Sequence, residues 1–256
     1  SNSTMYEATF WKELKLLINR ITKQQRGERI TRVSFLLMLT YLTFTSFMWW
    51  QIPDTTSNIF ERNSLLFFIL IAQGASIVTS SISVFNRERT LLKRERSKKM
   101  YHVLPFFIAK MISDMTNNIA LPLLYGMITY WTAGLYPSVS RFFKFIVSYW
   151  LTLNCAQNMG FFLSILIPNT NIALILAPPI TLFCFILGGF YIPFNNMHLI
   201  MKYISYISFA RYGYCSLLIN EFENRFIACN SNEDDSSSSS GITVGEINEC
   251  PLPGKF

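Results

Sequence analysis

Few residues of this 256-residue chain are placed to do chemistry. A metal centre or proton relay built on histidine needs several imidazoles in reach of one another. The chain has only His102 and His198, separated by three apolar blocks that put them on opposite sides of any membrane. No HExxH, GxSxG or GxxxxGK[ST] pattern occurs, so neither a zinc hydrolase, a serine elbow nor a phosphate-cradling loop is expected. Asp114 is the only acid within an apolar block, which leaves no carboxylate pair there. It follows Lys110 by one helical turn, so the two share a face and read as a polar anchor near one end of that block. No catalytic, metal-ligating or cofactor-binding residue is expected, and the chain alone is expected neither to bind nor to hydrolyse ATP.

The elements that surround these residues are made for lipid. Apolar residues make up 51% of the chain and charged residues 14%, against about 25% charged in a soluble domain. That excludes an ordinary cytosolic enzyme. Five blocks are long enough to cross a bilayer, at about 33–50, 64–85, 106–134, 142–167 and 171–192. Pro122 and the Pro178–Pro179 pair predict kinks in the third and fifth. The reading is an all-α polytopic membrane domain over 30–228.

The net charge of +7 is concentrated in two clusters. Lys12, Lys15, Arg20, Lys23, Arg26, Arg29 and Arg32 precede the first block, and Arg87, Arg89, Lys93, Arg94, Arg96, Lys98 and Lys99 fill one loop. The clusters lie two spans apart and therefore on one side, which the retention of cations marks as cytoplasmic. This is topology and not a nucleic-acid face. The amino terminus is then inside, and everything after 193 is outside. No secretory signal opens the sequence.

Residues 6–29 place Phe10, Trp11, Leu14, Leu17, Ile18 and Ile21 at helical spacing with the cations largely opposite, the pattern of an amphipathic helix at the inner interface. Residues 196–222 mix Lys202, Arg211 and Glu221 with aromatic and aliphatic residues and read as two short helices at the outer interface. Within the basic loop, Glu88 and Glu95 sit seven residues apart around Leu91 and Leu92, a short cytosolic helix suited to touching another protein. Residues 229–256 open on a serine-rich, acidic, flexible loop. Cys229 and Cys250, both on the oxidising side, are expected to bridge, closing about 20 residues for roughly 3 kcal/mol. Cys155 and Cys184 read as apolar span residues, and Cys215 is left open.

The stretch GGFYIPFNNMHLIMKYISYISFARYGYCSLLINEF (188–222) resembles the permease of the ABC transporter subfamily G, of the ABC-2 type. ERNSLLFFILIAQ (61–73) is similar to that family's second span, and FNRERTLLKRERSKKMYHVLPFFIAKMISDM (85–115) to its first cytoplasmic loop and third span. The similarity covers about 10–228. It implies a six-span permease that dimerises, with itself or with a related half-transporter, around a central cavity. ATP and Mg would be bound by a nucleotide-binding domain elsewhere in the same full-length chain, since this sequence stops before a sixth span and carries no such domain.

Carried over residue by residue, 6–29 resembles the connecting helix. Glu88, Leu91, Leu92 and Glu95 fall on the coupling helix that meets the nucleotide-binding domain. Phe190 and Tyr191 match the plug between inner and outer cavities, with cavity walls near Gln73, Ser76, Thr79, Leu182 and Phe185. Multidrug members stack flat substrates on an aromatic residue of the second span. From Ile69 to Val84 this chain has none, which shifts the expectation to lipids, sterols or other amphipathic molecules exported across the plasma membrane. The competing expectation is a truncated, non-transporting scaffold or partner subunit.

Overall fold

The computed structural model describes residues 10–29, 32–53, 58–97, 103–117, 120–192 and 197–223. The described residues form nine helices and no strand: α1 (Phe10–Arg29), α2 (Arg32–Met48), α3 (Ile59–Ser97), α4 (Val103–Asn117), α5 (Ala120–Thr132), α6 (Val139–Leu166), α7 (Thr170–Ile186), α8 (Leu199–Ser205) and α9 (Phe209–Phe222). The all-α reading holds.

α3 is the axis of the molecule. Its Ile59–Asn86 stretch is the only described one both long and apolar enough to cross a bilayer unaided, and the same helix runs on through the charged residues to Ser97. At 1.5 Å per residue, its 39 residues span about 58 Å. Val33–Met48, Leu104–Ser113 and Thr170–Ile186 are apolar but shorter. The third predicted block is shared by α4 and α5, which flank residues 118–119 outside the described set.

α3 packs against α6, α7 and α9, while α5 joins α6 and carries α2 at the periphery. α6 buries Phe145, Tyr149, Thr152, Ala156, Gly160 and Leu163, a stripe three to four residues apart that faces its neighbours. Small residues set the spacing. A Cβ on Gly160 would stand 2.8 Å from the Val78 carbonyl oxygen of α3, and one on Gly213 of α9 would collide with the Thr152 side chain. Close helix approach of this kind is how membrane helices gain contact without a hydrophobic driving force between them.

α7 runs through Pro178 and Pro179 as one helix and turns Ala173, Ala177 and Thr181 inward. α9 likewise buries Ala210, Gly213, Tyr214 and Leu217 in the bundle, whereas α8 leaves Leu199, Ile200 and Tyr203 exposed. α1 lays Leu14, Leu17 and Ile21 on Phe106 and Ala109 of α4. The outer surface is apolar: Phe47 is 83% exposed, Ile175 72% and Val147 53%, a skin that only lipid or further protein can cover.

Candidate functional site

α3 and α7 meet along a seam where one partner lacks a side chain. The ring of Phe185, 1% exposed, lies so close to Gly74 that a Cβ there would stand 2.7 Å from Phe185 Cζ. Of the expected cavity residues, Gln73 and Phe185 are buried, Ser76 and Thr79 are half-buried, and Leu182 is exposed. Thr79 donates its hydroxyl back to the Ala75 carbonyl (2.9 Å). Gln73 keeps a buried Nε2 donor without an acceptor among the described residues.

The seam ends in an aromatic cluster. After α7, Gly189 adopts φ 92°, a left-handed conformation that glycine reaches without strain. Phe190 then stacks on Phe67 of α3 at 4.5 Å between ring centroids and 12° between planes. Phe60 stacks on Phe190 at 5.9 Å, so three rings stand in a column. Tyr191 meets Phe67 edge-on at 5.4 Å and is 61% exposed. Tyr214 of α9 closes the cluster from the third side, 5.8 Å from Phe67. The two expected plug residues thus stand together, and Phe190 is packed within its own chain. Phe67, Phe60 and Tyr214 were not singled out in the sequence. The signal for Phe67 lay in the FF pair of ERNSLLFFILIAQ, just before the interval searched for aromatics.

Beside the cluster, a charged network caps this end of the bundle. Arg62, in the first turn of α3, donates Nη1 to Glu221 Oε1 (2.8 Å) and to the Gly134 carbonyl (3.2 Å), and Nη2 to the Ile52 carbonyl (2.6 Å). Glu221 Oε2 accepts the Tyr136 backbone N–H at 3.2 Å. Arg141 donates to the carbonyls of Asn220, Glu221 and Glu223 at the end of α9, where helical carbonyls lack their own donors, and lies 4.0 Å over the Tyr136 ring. Gln51 and Ile52 donate backbone N–H groups to Thr132 and Ala133. Four chain segments are joined there. Arg62 is buried in the first turn of α3, 3% exposed.

At the opposite end of α3, Glu88, Leu91, Leu92 and Glu95 fall on its last turns, and their side chains lie outside the described set. Lys110 is buried on α4, while the side chain of Asp114 lies outside that set. Cys229 and Cys250 lie outside it altogether; Cys155, Cys184 and Cys215 are free thiols. Among the described residues no three His, Cys, Asp or Glu side chains converge.

Comparison with known proteins agrees with this architecture. The ABC-2 type transporter family matches over residues 12–222. ABC transporter G family member 7 of Arabidopsis thaliana is 28% identical over 83% of this chain and 30% of its own length. The ABC transporter ATP-binding protein/permease wht-1 of Caenorhabditis elegans is 27% identical over 97% of the chain and 36% of its own. The protein white of Drosophila melanogaster is 25% identical over 96% and 36%. The chain thus spans about a third of the length of these curated relatives. With a family match across nearly all its helices and an apolar skin around them, this chain belongs to the ABC-2 type transporter family, as a multi-pass membrane domain related to the ABC transporter G family and white proteins.

Proposed function

We propose that the chain is the membrane-spanning half of an ATP-driven exporter that moves lipids, sterols or other amphipathic molecules by alternating access. The observation that carries this is α3, a single helix that joins the aromatic cluster at one end to the charged turns around Glu88 and Glu95 at the other. A push on the charged end reaches the seam without crossing a loop. The name of wht-1 pairs an ATP-binding part with a permease, and a nucleotide-binding domain in the full-length protein would supply that push through Glu88, Leu91, Leu92 and Glu95. Two such halves, identical or related, would enclose the cavity.

Substrate would run along the α3–α7 seam past Gln73, Ser76, Thr79 and Leu182, with Phe190 and Tyr191 as the barrier. Gln73 Nε2 offers a buried donor to a hydroxyl or ester oxygen, the Thr79 hydroxyl is turned back onto the Ala75 carbonyl, and Leu182 and Phe185 add apolar surface. That pairing suits a molecule with one polar group on a large apolar body. In this orientation the basic end faces the cytoplasm and the capped end faces out, in the plasma membrane.

The test is ATP-dependent movement of fluorescent phospholipid and sterol analogues in inside-out vesicles carrying the full-length protein. Glu88→Ala should lower that movement more than it lowers the protein's abundance in the membrane. No ATP-dependent movement of either class refutes the reading.

A further inference from the structure

Away from the seam, α6 and α9 leave a cleft of about 440 Å³ lined by Phe143, Lys144, Val147, Ser148, Ser216, Ile219, Asn220 and Glu223. Its groups are ordered along its length. Ser148 and Ser216 share a hydrogen bond of 2.8 Å deeper in the bundle. One turn nearer the capped end of the bundle come Lys144 on α6 and Asn220 on α9, whose Nδ2 is held by the Arg141 carbonyl at 2.9 Å. Glu223 stands at the mouth, where α9 ends. Phe143, 61% exposed, and Val147 make an apolar wall open to the surroundings.

Two observations point to what fits. First, Lys144 and the Glu223 carboxylate carry opposite charges on one cleft, and neither makes an ion pair with a described residue. Second, this level is the membrane boundary, because Trp50 (64% exposed) and Trp131 (57% exposed) turn their rings outward at the same end of the bundle, where indoles settle at the headgroups. A ligand here needs an anion and a cation a few bonds apart, joined to an apolar body that continues toward the membrane centre.

We propose that this cleft binds the headgroup of a zwitterionic phospholipid, with a primary amine preferred. Lys144 takes the phosphate, and the Ser148–Ser216 pair supplies the hydroxyl donor left over from its internal bond. Glu223 accepts an N–H hydrogen bond from the headgroup ammonium, a bond that a primary ammonium can donate and a quaternary one cannot. Phe143, Val147 and Ile219 cover the glycerol and first methylenes. The site is peripheral to the seam and rests only on the chain being seated in a bilayer, so it stands or falls separately from transport.

The experiment is native mass spectrometry of the purified full-length protein titrated with phosphatidylethanolamine, phosphatidylcholine and phosphatidylglycerol of equal chain length. Wild type should bind them in that order. Glu223→Gln should weaken phosphatidylethanolamine about tenfold and leave phosphatidylglycerol unchanged, while Lys144→Gln should weaken all three about tenfold. Both residues are exposed, so unchanged thermal midpoints are expected. In whole membranes, a photoreactive benzoylphenylalanine at position 143 should give an adduct with the mass of a phospholipid. Equal binding of the three lipids by wild type, no change in Glu223→Gln, or an adduct only to protein, whether the same chain or a second copy, overturns the assignment.

Discussion

Cutting the Arg62–Glu221 pair measures what holds the capped end shut. Both side chains are at most 4% exposed, so neither recovers its loss by turning to solvent. Glu221→Leu removes the carboxylate from a guanidinium that keeps the Gly134 and Ile52 carbonyls. Losing one partner of a buried pair costs about 3–5 kcal/mol, and the two retained bonds place this variant near the lower figure. Arg62→Leu is harsher. It leaves a buried carboxylate without its guanidinium, though still accepting the Tyr136 N–H, and it orphans the buried Ile52 carbonyl and the part-buried Gly134 carbonyl at about 1–3 kcal/mol for the buried one, for a total above about 5 kcal/mol. The double variant removes both charges and leaves only neutral orphans, so its cost should fall short of the sum by at least about 2 kcal/mol. Equilibrium unfolding in mixed dodecylmaltoside and SDS micelles reads these costs. The reporter is the maleimide reaction of buried Cys215 on α9, in a background whose other cysteines are serine. Additive single costs, or Arg62→Leu as the milder variant, would show that the pair does not hold this end.

Gly160→Ala should destabilise by about 1–3 kcal/mol in the same assay, because its Cβ meets the Val78 backbone oxygen, which cannot rotate away; helix propensity alone predicts a gain of about 1 kcal/mol, so a neutral or stabilising result removes the close approach. Phe190→Ala combined with Tyr191→Ala in the full-length protein should raise basal ATPase or leak while the fold survives, and wild-type stimulation and transport would demote both to ordinary interfacial aromatics. Unreduced peptide mass mapping should find Cys229 joined to Cys250, and two free thiols there would end that expectation. Impermeant maleimide on intact cells should label Ser238→Cys and spare Ser97→Cys; the reverse inverts the topology.

The helices were legible wherever composition alone decides. The apolar text of 64–85 could only be a helix in lipid, and it lies within α3. The two helices after 196 were legible from Lys202, Arg211 and Glu221 set among apolar residues, but their common place at the outer interface was not, since α9 is buried in the bundle. What a helix faces was harder to read. Leu14, Leu17 and Ile21 form the stripe expected at the inner interface, yet they rest on α4, because a leucine stripe is equally satisfied by lipid or by another helix. Long-range pairing was not legible at all: Arg62 and Glu221 are 159 residues apart, and each sits among other polar residues at the end of an apolar block, where it reads as an ordinary boundary charge. The plug residues were found through resemblance, while their stacking partner Phe67 depends on the turn at Gly189, which periodicity does not encode.

The contact of Phe185 with Gly74 also bears on how the sequence can vary. A ring seated on bare backbone leaves room for only one bulky group, so positions 74 and 185 share a single volume. An alanine at 74 becomes tolerable only after 185 has shrunk, and a shrunken 185 first leaves a void in the seam. Either first step is unfavourable, so the two positions should change together or not at all. Among relatives, pairs of small with large should recur at these positions in either order, and large with large should be missing.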